Sequence, residues 1–182
     1  MGRIIIFPTD TVYGIGCNIF DIDSINKIYE IKGRSKDKPL ACLCANLSQI
    51  DEIAIIDANA KKLINAFMPG ALTLILKSKD SVYNKIGYKN IGVRIPNNET
   101  AINLLLANGP MLTTSVNDSG DAPLNNYAEI YDKYNNVVDY IYKDNLKSSN
   151  ISSTVIQVID GNINILREGQ IKEKDIKNIL YE

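Results

Sequence analysis

Eight short runs rich in Ile, Val and Leu, each of strand length and each flanked by turn-forming residues, recur along the chain at 3–7, 40–45, 72–77, 91–95, 111–116, 137–142, 154–159 and 163–166. Helical patterns lie between them. Ser24 can cap a helix whose apolar positions Ile25, Ile28 and Ile31 fall on neighbouring faces and which ends near Gly33. Asn97 or Asn98 can cap another through Leu106, and further helices are expected at 47–54, 59–67, 127–134 and 172–180. This alternation predicts an α/β protein, a mixed sheet covered by helices, with a strand order that periodicity does not specify.

With 182 residues, 45% hydrophobic and 23% charged, and with no internal repeat or dividing linker, the chain is expected to form one domain over 1–182. Twenty Lys and Arg against 21 Asp and Glu leave a formal charge of −1, so global charge does not point to a nucleic acid or a membrane surface, and a polyanion must bind a local cluster. There is no histidine, which removes Ser-His-Asp triads, Cys-His dyads and histidine-ligated metals. Cys17, Cys42 and Cys44 form no Cys-x-x-Cys pair and read as buried thiols. The apolar stretch at the N-terminus is too short for a signal peptide and no run approaches a membrane span, which suggests a cytoplasmic protein.

Four segments set polar residues beside apolar runs. In Phe7-Pro-Thr-Asp-Thr-Val-Tyr-Gly-Ile-Gly, the plain reading is a turn with glycines spaced for close backbone approach, and the functional one is a pocket in which Thr9, Thr11 and Tyr13 supply neutral hydrogen bonds. Lys32, Arg34, Lys36 and Lys38 fall within seven residues after a helical pattern. They suit either a helix C-terminus with Gly33 in the left-handed conformation, or a clamp for neighbouring phosphates on a solvated segment. Strand alternation aims Thr113, Ser115 and Asn117 at one face, which fits a ligand face or a solvated edge. Arg94 interrupts an apolar run, so it must be paired or face a cavity. Ser153 and Arg167 read locally as parts of a hairpin, and 144–153 as a polar loop. No Walker loop is present, and Gly14-Ile-Gly lacks the third glycine of a dinucleotide fingerprint.

Taken in order, Pro8-Thr-Asp-Thr-Val-Tyr-Gly-Ile-Gly, Lys32-Gly-Arg with Lys38-Pro-Leu, Pro69-Gly-Ala-Leu-Thr-Leu, Gly92-Val-Arg-Ile-Pro, Thr114-Ser-Val-Asn-Asp-Ser-Gly, Ser153-Thr-Val and Leu166-Arg-Glu-Gly resemble the YrdC-like family, in particular its single-domain threonylcarbamoyl-AMP synthases. The family pattern Lys-x-Arg with a distant Ser-x-Asn is matched by Lys32/Arg34 and Ser115/Asn117. The resemblance implies a twisted open mixed sheet flanked by helices, with a basic concave cavity. It implies condensation of L-threonine, bicarbonate and ATP to threonylcarbamoyl-AMP with loss of pyrophosphate, Mg²⁺ arriving with the ATP. The product would serve a tRNA-modifying threonylcarbamoyltransferase acting at the adenosine beside the anticodon. By the same resemblance Lys32, Arg34, Lys38, Asn90, Ser115, Asn117, Pro123 and Arg167 would bind ATP, and Thr9, Thr11, Tyr13, Arg94, Thr113 and Ser153 would bind threonine. No general base is identified.

The sequence departs from that pattern in places. Only three residues precede the first strand where the family often has a helix, and the chain ends before the further C-terminal domain of long members. Ser35 and Ser152 stand where proline is usual, Leu43 where some members have a histidine, and Met68 and Ala71 where Trp and Pro are common. The loop 144–153 is expected to close over the cavity when ATP binds, bringing Ser153 and Arg167 onto the substrates. Two alternatives are a carbamoyl-adenylate-forming enzyme on the same fold and a non-catalytic RNA-binding module. Balanced charge and few aromatics near 32–38 disfavour RNA.

Overall fold

The structure, a computed structural model, describes residues 2–143, 149 and 151–181. The expected closing loop 144–153 lies largely outside the described residues. In chain order the elements are β1 (Ile5–Phe7), β2 (Gly14–Asn18), α1 (Ile22–Lys32), β3 (Ala41–Leu43), α2 (Leu47–Ile53), α3 (Ala58–Phe67), β4 (Leu72–Lys77) and α4 (Asp80–Ile86). There follow β5 (Asn90–Arg94), α5 (Glu99–Asn108), β6 (Met111–Ser115), α6 (Tyr127–Tyr134), β7 (Tyr140–Ile141), β8 (Thr154–Ile159), β9 (Asn162–Arg167) and α7 (Glu173–Tyr181). The nine strands form one sheet in the order β7-β1-β2-β6-β3-β5-β4-β8-β9. Pairings β1/β7, β3/β5 and β4/β8 are parallel and the others antiparallel, so the sheet is mixed.

Period-two alternation sorts the strand residues onto two unlike faces. Ile4, Ile6, Cys42, Cys44, Leu72, Leu74, Leu76, Ile91, Val93, Leu112, Ile156 and Val158 lie in one large core. Residues of α1, α2, α3, α4, α6 and α7 pack into the same core. Each fully buried Ile or Leu contributes about 1.5–3 kcal/mol to burying that face. The opposite face has a small cluster in which Ile5, Phe7, Leu43, Ala45 and Met111 meet Ala101, Leu104 and Leu105 of α5. One helix cannot cover nine strands. The uncovered part carries small and polar residues instead of a second apolar core.

Local sequence explains most helix ends. Asn46, Asp57, Asn98 and Asn126 accept backbone N–H bonds at the starts of α2, α3, α5 and α6. The cap of α1 is Asp21, whose side chain accepts from the Ser24 N–H, so Ser24 supplies the third helical N–H and is not the cap. Gly33 ends α1 with φ 56°, as its left-handed role requires.

Two elements went unseen in the periodicity. Helix α4 has a single buried apolar residue, Val82, and no side-chain cap. Strand β2 reads as a turn because two of its five residues are glycines. Those glycines are needed: a Cβ on Gly14 would sit 2.6 Å from Thr113 Cγ2, and one on Gly16 2.5 Å from Thr113 Oγ1 and 2.9 Å from the Leu112 carbonyl oxygen. β2 thus leaves room for Thr113 on the open face.

Candidate functional site

The open face holds a cavity of about 540 Å³. Its floor follows the alternation that filled the core on the other side: Ala41 and Leu43 of β3, Thr73 and Ile75 of β4, Asn90, Gly92 and Arg94 of β5, and Thr113 and Ser115 of β6. Thr9, Thr11 and Tyr13 of the β1–β2 connection, Arg34, Thr114, and Ser152, Ser153 and Arg167 add to the polar lining. The lining includes three arginines and no carboxylate among the described residues.

Ten of the fourteen expected site residues therefore meet in one cavity: Thr9, Thr11, Tyr13, Arg34, Asn90, Arg94, Thr113, Ser115, Ser153 and Arg167. Lys32, Lys38, Asn117 and Pro123 are not in its lining. Lys38 is exposed and Pro123 half-buried. The expectation of a solvated Lys32 is overturned, since its side chain is 3% exposed. Helix α1 places it inward against the loop that leaves β6. Asn117 lies two residues beyond the end of β6, where alternation no longer governs which way a side chain turns.

Arg94 answers the question that its place in an apolar run poses. It is buried, and its Nη2 lies 2.6 Å from Asp10 Oδ1, its Nη1 2.8 Å from Thr11 Oγ1 and its Nε 2.9 Å from the Gly70 carbonyl oxygen. Three of five guanidinium N–H groups are engaged, leaving one on each terminal nitrogen for a ligand. Burial lowers the Arg94 pKa and the Asp10 charge opposes that shift. Asp10 also accepts the Asn97 N–H at 3.0 Å, tying the β1–β2 connection to the start of α5.

Thr9 takes the turn reading and also lines the cavity. Its hydroxyl donates to the Val12 carbonyl at 2.6 Å and accepts the Thr11 and Val12 N–H groups, closing a turn at the cavity wall. Ser153 Oγ lies 2.8 Å from Thr73 Oγ1, and the Ser153 carbonyl accepts Arg167 Nη2 at 2.9 Å and Nε at 3.1 Å. These bonds aim the Arg167 guanidinium at the cavity edge, and burial lowers its pKa. Arg34 donates to the Lys38 carbonyl at 2.8 Å and the Pro39 carbonyl at 3.2 Å, which fixes the basic turn. Lys32 Nζ is bonded to the Ser115 and Asn117 carbonyls and to Asn117 Oδ1, and burial pushes its pKa down to about 8.

Thr73 and Asp10 went unassigned in the sequence. Thr73 carries the signal that exposed Arg94, a polar residue at a cavity-face position of an apolar strand. Asp10 carries none, because its partner is 84 positions away. The thiols are buried as expected, and desolvation pushes Cys17 up to about 12, which disfavours a thiolate there. Among the described residues no three His, Cys, Asp or Glu side chains group to hold a metal ion, and no helix is long and apolar enough to cross a membrane.

Comparison with known proteins finds the same fold. The Sua5/YciO/YrdC family model, described as telomere recombination, matches residues 1–169. The crystal structure of P. abyssi Sua5 complexed with L-threonine is 30% identical and superposes with a TM-score of 0.91, covering 99% of this chain and 54% of that one. Escherichia coli YciO is 31% identical with a TM-score of 0.84, covering 96% of this chain and 87% of that one. A Bacillus subtilis threonylcarbamoyl-AMP synthase is 32% identical over 98% of this chain and 53% of its own. The chain thus spans about half the length of the P. abyssi and B. subtilis relatives.

Proposed function

The chain belongs to the Sua5/YciO/YrdC family, and from that premise we propose that it is an enzyme, a nucleotidyltransferase that makes threonylcarbamoyl-AMP from L-threonine, bicarbonate and ATP with release of pyrophosphate. The observation that carries this reading is one cavity, on the open face of the sheet, that hydroxyls around Arg94 and the two further arginines Arg34 and Arg167 line together. That combination suits an amino-acid zwitterion beside a polyphosphate.

The chemistry requires positioning more than proton transfer. The threonine amine adds to CO₂ derived from bicarbonate, losing a proton to solvent and forming a carbamate. A carbamate oxygen then attacks the α-phosphorus, and the bond from that phosphorus to the pyrophosphate oxygen breaks. Arg94 offers its two remaining N–H groups to the threonine carboxylate, while Thr9, Thr11, Tyr13, Thr113 and Ser153 surround the amino acid. Arg34 and Arg167 oppose the charge of the phosphates, while Asn90 and Ser115 line the cavity around the nucleotide. Mg²⁺ would come coordinated by the phosphates, because the described residues offer no acidic cluster to hold it, and it would neutralise charge there. The product would pass to a threonylcarbamoyltransferase for the adenosine beside the anticodon of tRNA, in the cytoplasm.

Pyrophosphate release tests the proposal. Release should require threonine and bicarbonate together, with a threonylcarbamoyl-adenylate as the co-product. Release that ignores threonine would point to another adenylate chemistry, and RNA binding without release would overturn the enzyme reading.

A further inference from the structure

An ammonium group has three N–H donors and no acceptor. At the end of α1, Lys32 Nζ lies 2.6 Å from the Ser115 carbonyl oxygen, 2.5 Å from the Asn117 carbonyl oxygen and 3.1 Å from Asn117 Oδ1. Donors and acceptors match one for one. The side chain is buried and absent from the cavity lining, so no donor is left for a ligand phosphate.

The Asn117 amide is equally committed. Its Nδ2 donates to the Asp118 and Asp121 carbonyls at 2.9 and 2.8 Å, and its Oδ1 accepts Lys32 Nζ and, at 2.5 Å, the Ser115 hydroxyl. Turning the amide over would set Nδ2 against the ammonium and Oδ1 against two carbonyls, so the Lys32 charge decides its orientation. Ser115 has one hydroxyl hydrogen, and Asn117 takes it. The Ser115 Oγ at the cavity therefore presents lone pairs alone.

From this geometry we infer that Lys32 is a positioning residue that never touches the ligand: through Asn117 it makes Ser115 a cavity-facing hydrogen-bond acceptor, matched to a ligand N–H or O–H and mismatched to a phosphate oxygen. The ligand's identity rests on the proposed function; the network does not. Under that function the donor belongs to the nucleoside, as a ribose hydroxyl or the adenine amine, or to the amino acid's amine. Retaining Lys32 near the phosphates adds favourable charge at a distance without a contact.

Two measurements test it. In ¹⁵N-labelled protein at pH 6.5, without ligand, the Lys32 Nζ signal should be slow to exchange with water and should stay in place when tripolyphosphate is added. A fast-exchanging signal, or one that shifts with tripolyphosphate as a contact would require, overturns the inference whatever the protein's function. Calorimetric titrations of wild type, Lys32→Met, Ser115→Ala and the double variant with adenosine, L-threonine and tripolyphosphate form the second arm. Ser115→Ala should weaken adenosine or threonine, whichever carries the donor, about fivefold and leave tripolyphosphate unchanged. Lys32→Met should give the same loss for that probe, with no further loss in the double variant. Loss of tripolyphosphate binding in Ser115→Ala overturns the inference. Should Lys32→Met not fold, Ser115→Ala and the Nζ signal decide. Should neither adenosine nor threonine bind wild type, the proposed function fails and the Nζ signal alone judges the network.

Discussion

Arg94 and Asp10 form an ion pair of 2.6 Å in side chains that are only 8% and 16% exposed. Asp10 is the acid that lets a guanidinium stand in the middle of an apolar strand. It also fixes the fork, since the pair and the Thr11 and Gly70 bonds leave Arg94 one orientation.

Removing that partner should be costly. Asp10→Ala leaves a buried charge unpaired and is expected to lower stability by about 3–5 kcal/mol. Asp10→Asn should cost less, because its amide oxygen can still accept from Arg94 and from the Asn97 N–H. Urea denaturation measures both. An Asp10→Ala midpoint equal to wild type would mean that water reaches Arg94.

Arg34→Ala should leave the fold intact and slow adenylate formation about ten- to a hundredfold. The side chain is half-buried and, among the described residues, bonded to the Lys38 and Pro39 carbonyls, and loss of one charge-assisted contact should cost about 1.5–3 kcal/mol in ATP binding or transition-state stabilisation. Lys32→Ala should behave differently, losing stability first, because it strands three buried acceptors. Normal pyrophosphate release from Arg34→Ala would remove the residue from the site.

Gly16→Ala probes the cavity floor without replacing a polar side chain. The new methyl would meet Thr113 Oγ1 and the Leu112 carbonyl, and overpacking of this kind costs roughly 1–3 kcal/mol. Since the strand cannot yield without moving Thr113, the KM for threonine should rise in the same variant. An unchanged KM in a folded Gly16→Ala would show that Thr113 does not set the pocket.

Amino-acid choice should follow the hydroxyls. Thr113 and Ser153 are bonded to Met111 and Thr73, and a valine methyl set against them offers neither a donor nor an acceptor, whereas serine loses only the packing of a methyl, worth about 1 kcal/mol or slightly more. Serine should therefore turn over measurably and valine almost not at all. Equal turnover of threonine and valine would contradict the assignment.

Lys32 should titrate unusually. Burial pushes it down to about 8 from an ordinary 10.5, with the Arg34 charge adding to the shift and Asp118 opposing it. Between those two values the unfolded chain holds the proton and the folded one does not, so this group raises stability as pH climbs from about 8 towards 10.5. A ¹³Cε titration of Lys32 should show its midpoint near 8, and a midpoint at the ordinary lysine value would place the ammonium in water.

Much of the fold was legible because apolar periodicity is local. β4 and β8 coincide with the runs at 72–77 and 154–159, and α6 with the pattern at 127–134. β2 was hidden because its glycines serve a neighbour across the sheet, and α4 because it buries only Val82. The site was legible where a polar residue broke a strand, as at Arg94, Thr113 and Ser115. It was illegible at Asp10.

By itself the sequence determined an α/β chain without histidine, in which any catalysis must use other groups. It also marked which segments carry them. Only the tertiary structure decided which face of the sheet stays open, that Asp10 neutralises Arg94, and that Lys32 points inward to Ser115 and Asn117 while Arg34, two residues on, lines the cavity. The physical reason is separation along the chain. A basic residue is the same in sequence whether water or three carbonyl-type oxygens surround it, and those oxygens come from residues more than eighty positions away.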